Sequence, residues 1–303
     1  MPITPIIPIT LITKKKKLTK TINTMKKIFY AIVAAAALFG VACDKTSEIK
    51  VMSYNIRLSS GTIKADSIYH WEHRKQASLN LMHEENPTVF GLQEACPDQM
   101  DYMVENLPEY GYIGVGRDDG KRKGEFMSIF YLKDEVELID GGTFWLSETP
   151  DEVSKGWDAA CFRTCTWAIL KKKDTGKKFV YMNTHLDHMG KVAREESIKL
   201  IVAKAEELTG GKLPVYITAD FNSPTTNAIF KPMQEAMLDA RVEAPTTDDR
   251  GTLNCWGTTP PGVVIDHIFY RGAEAQKFEV LRDKDYGAPY VSDHYPVMLT
   301  AIM

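Results

Sequence analysis

From Ser47 onward, short alternating apolar runs of the kind that form strands are interleaved with amphipathic stretches, with no low-complexity linker and no internal repeat. That interleaving favours a single α/β domain. Ile49 to Arg57 alternates and predicts a first strand, a helix is expected around Asp66 to Glu85, and Val89 to Gln93 is a short buried run. Met100, Met103, Val104 and Leu107 fall on one helical face, which Pro108 stops. Phe126 to Leu132, Val136 to Ile139, Thr164 to Leu170 and Phe179 to Asn183 read as strands, and Lys171 to Lys178 as a solvated polar hairpin around Thr175-Gly176. Ile198, Ile201, Val202, Ala205 and Leu208 mark a helix closed by Gly210-Gly211. Pro214 to Ala219, Val263 to Tyr270 and Pro296 to Ile302 complete the strands.

The first 43 residues do not share this pattern. Met25-Lys26-Lys27 followed by the apolar run Ile28 to Ala42 has the charged and hydrophobic regions of a secretory signal, and the run is too short to span a bilayer comfortably. It ends in small residues before Cys43, which resembles the cleavage box of bacterial lipoproteins, although Gly40 stands where a larger aliphatic residue is usual. Residues 1–24, rich in lysine and without an acidic residue, read as an extension upstream of Met25, the more natural start. The expectation is a leader over 1–43 and a working domain over 48–303. The product would be exported to the bacterial cell envelope, periplasm or outer membrane, and tied to the membrane through lipid on Cys43.

Loss of the leader changes the charge. Seven of the 37 Lys+Arg precede Cys43 and none of the 40 Asp+Glu does, which leaves 30 basic against 40 acidic residues, a formal −10. Such a chain repels a polyanion at long range unless it carries a local basic patch. Long duplex DNA is therefore disfavoured as a substrate. Cys96, Cys161, Cys165 and Cys255 fix no disulfide pairing by spacing, and Cys161 with Cys165 lacks the further ligands a structural zinc needs.

Polar residues interrupt seven otherwise apolar runs: Asn55 in Ser-Tyr-Asn-Ile-Arg, Glu94 in Leu-Gln-Glu, Arg163 in Cys-Phe-Arg-Thr, His185 in Asn-Thr-His-Leu-Asp-His, Asp220 and Asn222 in Ala-Asp-Phe-Asn, Asp266 in Ile-Asp-His-Ile-Phe, and Asp293-His294 in Ser-Asp-His. Singly, each is as well explained by a cap or a packed side chain. Their order over nearly the whole mature chain resembles the endonuclease/exonuclease/phosphatase superfamily, which includes pancreatic deoxyribonuclease, sphingomyelinases and inositol-polyphosphate phosphatases. The resemblance implies a four-layer α/β sandwich, two stacked and mainly antiparallel β-sheets flanked by helices, with the site at one edge. It extends to Gly142 to Pro150 and Trp157 to Ala160, which look like a bacterial branch. The chain departs from the family in Ala219, where glycine is usual, and in His267, where an aromatic residue commonly stands; alternation turns His267 away from Asp266, to packing or surface.

Phosphoester hydrolysis needs a hard cation, a deprotonated water and donors aimed at the nonbridging oxygens. Glu94 with Asn55 and Asp293 is the candidate metal site, and oxygen ligands suit magnesium first, with manganese or calcium as alternatives. Asp266 is expected to pair with His294 so that His294 can activate water, and by similarity Asp220 is the alternative proton acceptor. Asn222, His185 in its cationic form and Arg163 stand as donors to the phosphate, with Asn183 supporting them; Asp187 and His188 either reach the pocket or cap the next helix. Trp145, Trp157 and Trp256 are either core or substrate rim.

The expected activity is metal-dependent hydrolysis of a phosphomonoester or phosphodiester on a small or lipid-derived molecule. The first alternative is an endonuclease or exonuclease acting on DNA or RNA, for which Arg57, Lys121, Arg122 and Lys123 are the basic candidates. A non-catalytic binding lipoprotein is the second, and it predicts gaps in the polar set that the sequence does not have.

Overall fold

The computed structural model describes residues 46–303 apart from 60, 62, 66 and 259–261; the expected leader and the expected helix start at Asp66 lie outside the described residues. Strands β1 (Glu48–Asn55), β2 (Val89–Gln93), β3 (Tyr110–Ile113), β4 (Ile129–Leu132), β11 (Glu274–Val280) and β12 (Val297–Ile302) form one six-stranded sheet in the order β11-β12-β1-β2-β4-β3. The second sheet, in the order β5-β6-β7-β8-β10-β9, takes β5 (Val136–Trp145), β6 (Thr164–Lys172), β7 (Lys178–His185), β8 (Val215–Asp220), β9 (Leu238–Asp239) and β10 (Asp266–Arg271). Among these ladders only β1–β2 and β7–β8 are parallel, so both sheets are mixed and mainly antiparallel, as expected.

Helices cover the outer faces. In α1 (Trp71–Glu85), Trp71, Ala77, Ser78, Leu81 and Met82 recur at helical spacing and are buried. They meet Met100 and Met103 of α2 (Pro97–Asn106) over Met52, Tyr54, Phe90 and Leu92 of the first sheet. In α3 (Lys191–Thr209), Ile198, Ile201 and Ala205 lie over Val180, Met182, Val215 and Ile217 of the second. Gly210, at φ 54, ends α3 in the left-handed conformation that glycine adopts without a Cβ penalty. Between the sheets, Ile49, Val51, Val89 and Ile129 face Ala168, Leu170, Phe179, Tyr181, Tyr216 and Ile268. Full burial of each large apolar side chain stabilises the sandwich by roughly 1.5–3 kcal/mol.

Several boundaries differ from the sequence reading. Helix α1 begins at Trp71, because His70 is extended and its ring nitrogen accepts the Glu72 N–H at 3.4 Å. The first strand stops at Asn55, since Arg57 has φ 58. Val104 turns out of the α2 core and is exposed. Lys172, expected in a solvated turn, is buried and paired with Glu135 at 2.9 Å. His267 packs among Phe221, Phe230 and Phe269 on the helix-covered side of the second sheet, with Nε2 3.2 Å from the Ser223 carbonyl; burial brings its pKa down to about 4.

Candidate active site

Along the space between the sheets the side chains change character. Ile49 and Val51 point into it from β1, and period-two alternation puts Ser53 and Asn55 on the same face. The same rule carries β7 from Phe179 and Tyr181 to Asn183 and His185, and β8 from Tyr216 to Thr218 and Asp220. His185 lies in register with Asp220, and Asp220 with Asp266 of the antiparallel β10. The strand ends therefore deliver a polar cluster to one end of an otherwise apolar seam.

Asn183 fastens the two sheets just below that end. Its Oδ1 accepts from Gln93 Nε2 (2.7 Å) and Thr218 Oγ1 (3.0 Å), and its Nδ2 donates to the carbonyls of Leu92 (2.7 Å) and Ser128 (3.0 Å). The approach is close because Gly91 has no side chain; a Cβ there would lie 2.2 Å from Asn183 Oδ1.

Asp220 sits at the centre. Its Oδ2 accepts from Asn55 Nδ2 at 3.0 Å and lies 3.4 Å from His185 Nε2 and 3.8 Å from His294 Nε2, while Oδ1 accepts the Asn222 N–H at 2.9 Å. Burial, with repulsion from Asp266 and Glu94, raises its pKa well above the carboxylate range against the opposing pull of His294. His294 Nδ1 lies 2.9 Å from Asp266 Oδ2. Burial opposes its charge, but the carboxylates of Asp266, Asp220 and Asp293 outweigh it and raise its pKa well above that of an ordinary histidine.

His185 is different. Burial and the positive charges of Arg163, Arg117, His294 and His188 push its pKa well down, so the cationic form expected from sequence is replaced by a neutral ring in contact with Asn222 Nδ2 at 2.9 Å. Arg163 is buried; its Nε donates to Asp187 Oδ2 at 3.2 Å, its Nη2 is 3.1 Å from His188 Nδ1, and its Nη1 has no hydrogen-bond partner among the described residues. Of the two residues expected either to reach the pocket or to cap the next helix, His188 lines the cleft, whereas Asp187 lies behind Arg163 and its other oxygen accepts from the Met189 and Gly190 N–H groups at the start of α3.

A cleft of about 400 Å³ opens over this cluster, lined by Arg163, His185, Asp220, Asn222, His294, Glu94 and Asp293 of the nine expected residues. Asn55 and Asp266 stand behind it: Asn55 Nδ2 also donates to Glu94 Oε1 at 3.1 Å, and Asp266 backs His294. Among the described residues, four of the seven non-glycine ones with positive φ line the cleft: Arg57, Glu94, Asn222 and Cys255. Such backbone costs of order 1–3 kcal/mol each and gathers where geometry is functional. Trp145 belongs to the core, its Nε1 donating to the Arg117 carbonyl, and neither it nor Trp157 nor Trp256 lines the cleft.

The donor set fits a hard divalent cation. Oxygen or nitrogen atoms of Glu94, His185 and Asp220 come within 4.8 Å of one another, and the Arg57 guanidinium already places positive charge between Glu94 and Asp293, 3.5 Å from each. Cys161 and Cys165 do not gather as zinc ligands among the described residues, since Cys165 packs in the apolar cluster beneath α3 while Cys161 neighbours Asp187 and His188, and no disulfide joins cysteines among the described residues. Sequence reasoning missed Arg117 and Glu125, which line the cleft from the loop between β3 and β4.

The family model described as Endonuclease/Exonuclease/phosphatase family matches residues 52–294. The structure is similar to that of an endonuclease/exonuclease/phosphatase family protein from Bacteroides thetaiotaomicron, at 38% identity and TM-score 0.79, with 86% of this chain and 96% of the other covered. It is also similar to a Bacteroides thetaiotaomicron mannosyl-6-phosphatase, at 38% identity and TM-score 0.78, with 84% and 100% covered. An uncharacterised protein of Acanthamoeba polyphaga mimivirus is 25% identical over 270 residues, 83% of this chain and 99% of its own.

Proposed function

Because the chain belongs to the endonuclease/exonuclease/phosphatase family, whose members are hydrolases of phosphoester bonds, we propose that it is a divalent-metal-dependent phosphomonoesterase acting on a small, polar, hydroxyl-bearing substrate. The observation that carries this reading is the convergence of Asp220, His185 and the Asp266–His294 pair beneath a cleft in which Arg163 keeps a buried N–H donor unsatisfied. An unpaired buried donor costs about 1–3 kcal/mol, which a bound phosphate oxygen would recover. Likeness to a mannosyl-6-phosphatase supports a sugar phosphate over a lipid or a nucleic acid.

In this reading Asp220, kept basic by burial and by neighbouring carboxylates, takes the proton of the attacking water. His294, kept charged by Asp266, donates to the phosphate or the leaving oxygen. Arg163 and Asn222 hold the nonbridging oxygens. Glu94 and Asp293, with Asn55 beside Glu94, are the residues that would hold magnesium or manganese, which would supply Lewis acidity against the developing charge.

The test is phosphate release from a panel of sugar phosphates, inositol phosphates, phospholipid head groups and nucleotides, with Mg²⁺ or Mn²⁺ and with chelator, beside a plasmid-nicking assay. Release from small monoesters without nicking is expected, and Glu94→Ala and His294→Ala each lose at least ~2–3 kcal/mol of transition-state stabilisation. Nicking without release from any monoester would replace this reading by the nuclease.

A further inference from the structure

One ion pair in the cleft has no part in the chemistry just described. Arg117 and Glu125 stand on opposite limbs of the loop between β3 and β4, where the Arg117 N–H donates to the Glu125 carbonyl at 3.0 Å. Their side chains meet fork to fork, Nη1 to Oε2 and Nη2 to Oε1 at 2.7 Å each, with side-chain exposures of 12% and 15%. Arg117 Nε is buried without a hydrogen-bond partner among the described residues. The loop is pinned on two sides: Trp145 Nε1 donates to the Arg117 carbonyl at 2.8 Å, and the Phe126 N–H donates to the carbonyl of Ala95, next to Glu94, at 2.8 Å. The pair is thus fixed relative to the acidic centre, and its charges act there. Arg117 helps to keep His185 neutral, and Glu94 adds to the burial that raises the Glu125 pKa.

A largely desolvated ion pair is a weak stability device, because desolvation offsets most of its attraction. As a recognition device it has a specific shape. A bidentate guanidinium–carboxylate pair still carries outer N–H donors and outer carboxylate lone pairs along one planar edge. Donor beside acceptor is what two neighbouring hydroxyl groups require, since each can both donate and accept. The remaining lining suits neither a nucleobase nor an acyl chain. Among the described residues that line the cleft none is Phe, Tyr or Trp, the large rings on which bases stack best, and the aliphatic ones are Leu58, Leu253 and Ile265. The Glu125 carboxylate would also repel a second phosphate group.

We propose that Arg117 and Glu125 are the specificity-determining pair of the cleft, holding adjacent hydroxyl groups of a polyol monophosphate, a sugar phosphate by chemical class, while its phosphate lies at Arg163 and the acidic centre. The proposal rests on the phosphomonoesterase reading and adds which part of the substrate is read, and by which side chains.

The experiment compares kcat/KM for a hexose 6-phosphate and for phenyl phosphate, with Mg²⁺, in the full chain, Glu125→Gln, and the double variant Arg117→Gln/Glu125→Gln. The double variant retains an uncharged hydrogen-bonded pair should the single change unfold the loop. The ratio of the two kcat/KM values is expected to fall at least tenfold in each variant. On the unaltered protein, monodeoxy hexose 6-phosphates should lose at least tenfold in kcat/KM at two neighbouring positions, since a site built to bond a hydroxyl rejects the analogue that lacks it. Equal losses on both substrates, an unchanged ratio, or indifference to every missing hydroxyl would overturn the pair's role while leaving the phosphomonoesterase standing. An unaltered protein that hydrolyses neither ester would overturn that reading and this one with it.

Discussion

Asp266 is the side chain whose charge both titrating groups of the site feel. Its charge raises the pKa of His294, to which it is bonded, and also that of Asp220, opposite it in register. If kcat/KM rises as Asp220 loses its proton and falls as His294 loses its own, the pH profile is a bell. Asp266→Asn removes one negative charge, which lowers both pKa values, so both limbs should move to lower pH. An alkaline limb that stayed or moved upward would remove His294 as the proton donor. The nine polar residues of the site were legible in sequence because each interrupts an otherwise apolar stretch and because their order along the chain resembles that of a known family. Arg117 and Glu125 were not, since their pairing across a polar loop leaves no periodic trace. The charge state of His185 was equally hidden, because Arg117 and Arg163 reach it only in space.

For the elements, the seam between β2 and β7 is the most exposed to a single atom. Gly91→Ala would drive a methyl group into Asn183 and Thr218. Overpacking of this kind costs typically 1–3 kcal/mol, and the fall should appear in urea unfolding together with a lower kcat, because Gln93 and Leu92, which Asn183 holds, precede Glu94. A stable and fully active variant would show that the seam does not position the site. The central strands β1, β2, β4, β6, β7, β8, β10 and β12 were readable from their apolar runs. Those missed outright, β3, β9 and β11, and the shortened β5 are the four sheet edges. An edge strand has one unpaired side and carries more polar residues. In β11 the irregularity between Ala275 and Lys277 also breaks the period of two.

Over the molecule as a whole, four of the acidic side chains stand where a charge is least comfortable. Glu94, Asp220, Asp266 and Asp293 are all buried around one cleft. A cation that binds the folded state alone stabilises it by mass action, so millimolar Mg²⁺ should raise the Tm of wild type and raise it less in Glu94→Gln. Equal shifts in both would argue against Glu94 as a ligand. For the leader we propose lipid attachment at Cys43, and Cys43→Ala is expected to move the protein from the membrane to the soluble fraction of a bacterial host. Fractionation that ignores the change would favour simple secretion.

The reacting groups are shared between two sheets, with Asn55 on one and His185 and Asp220 on the other. Neither half could have been refined for catalysis alone. Any drift that let one layer slide against its neighbour would pull Asn55 away from Asp220, so the grip between the layers and the power to turn over a substrate stand or fall together.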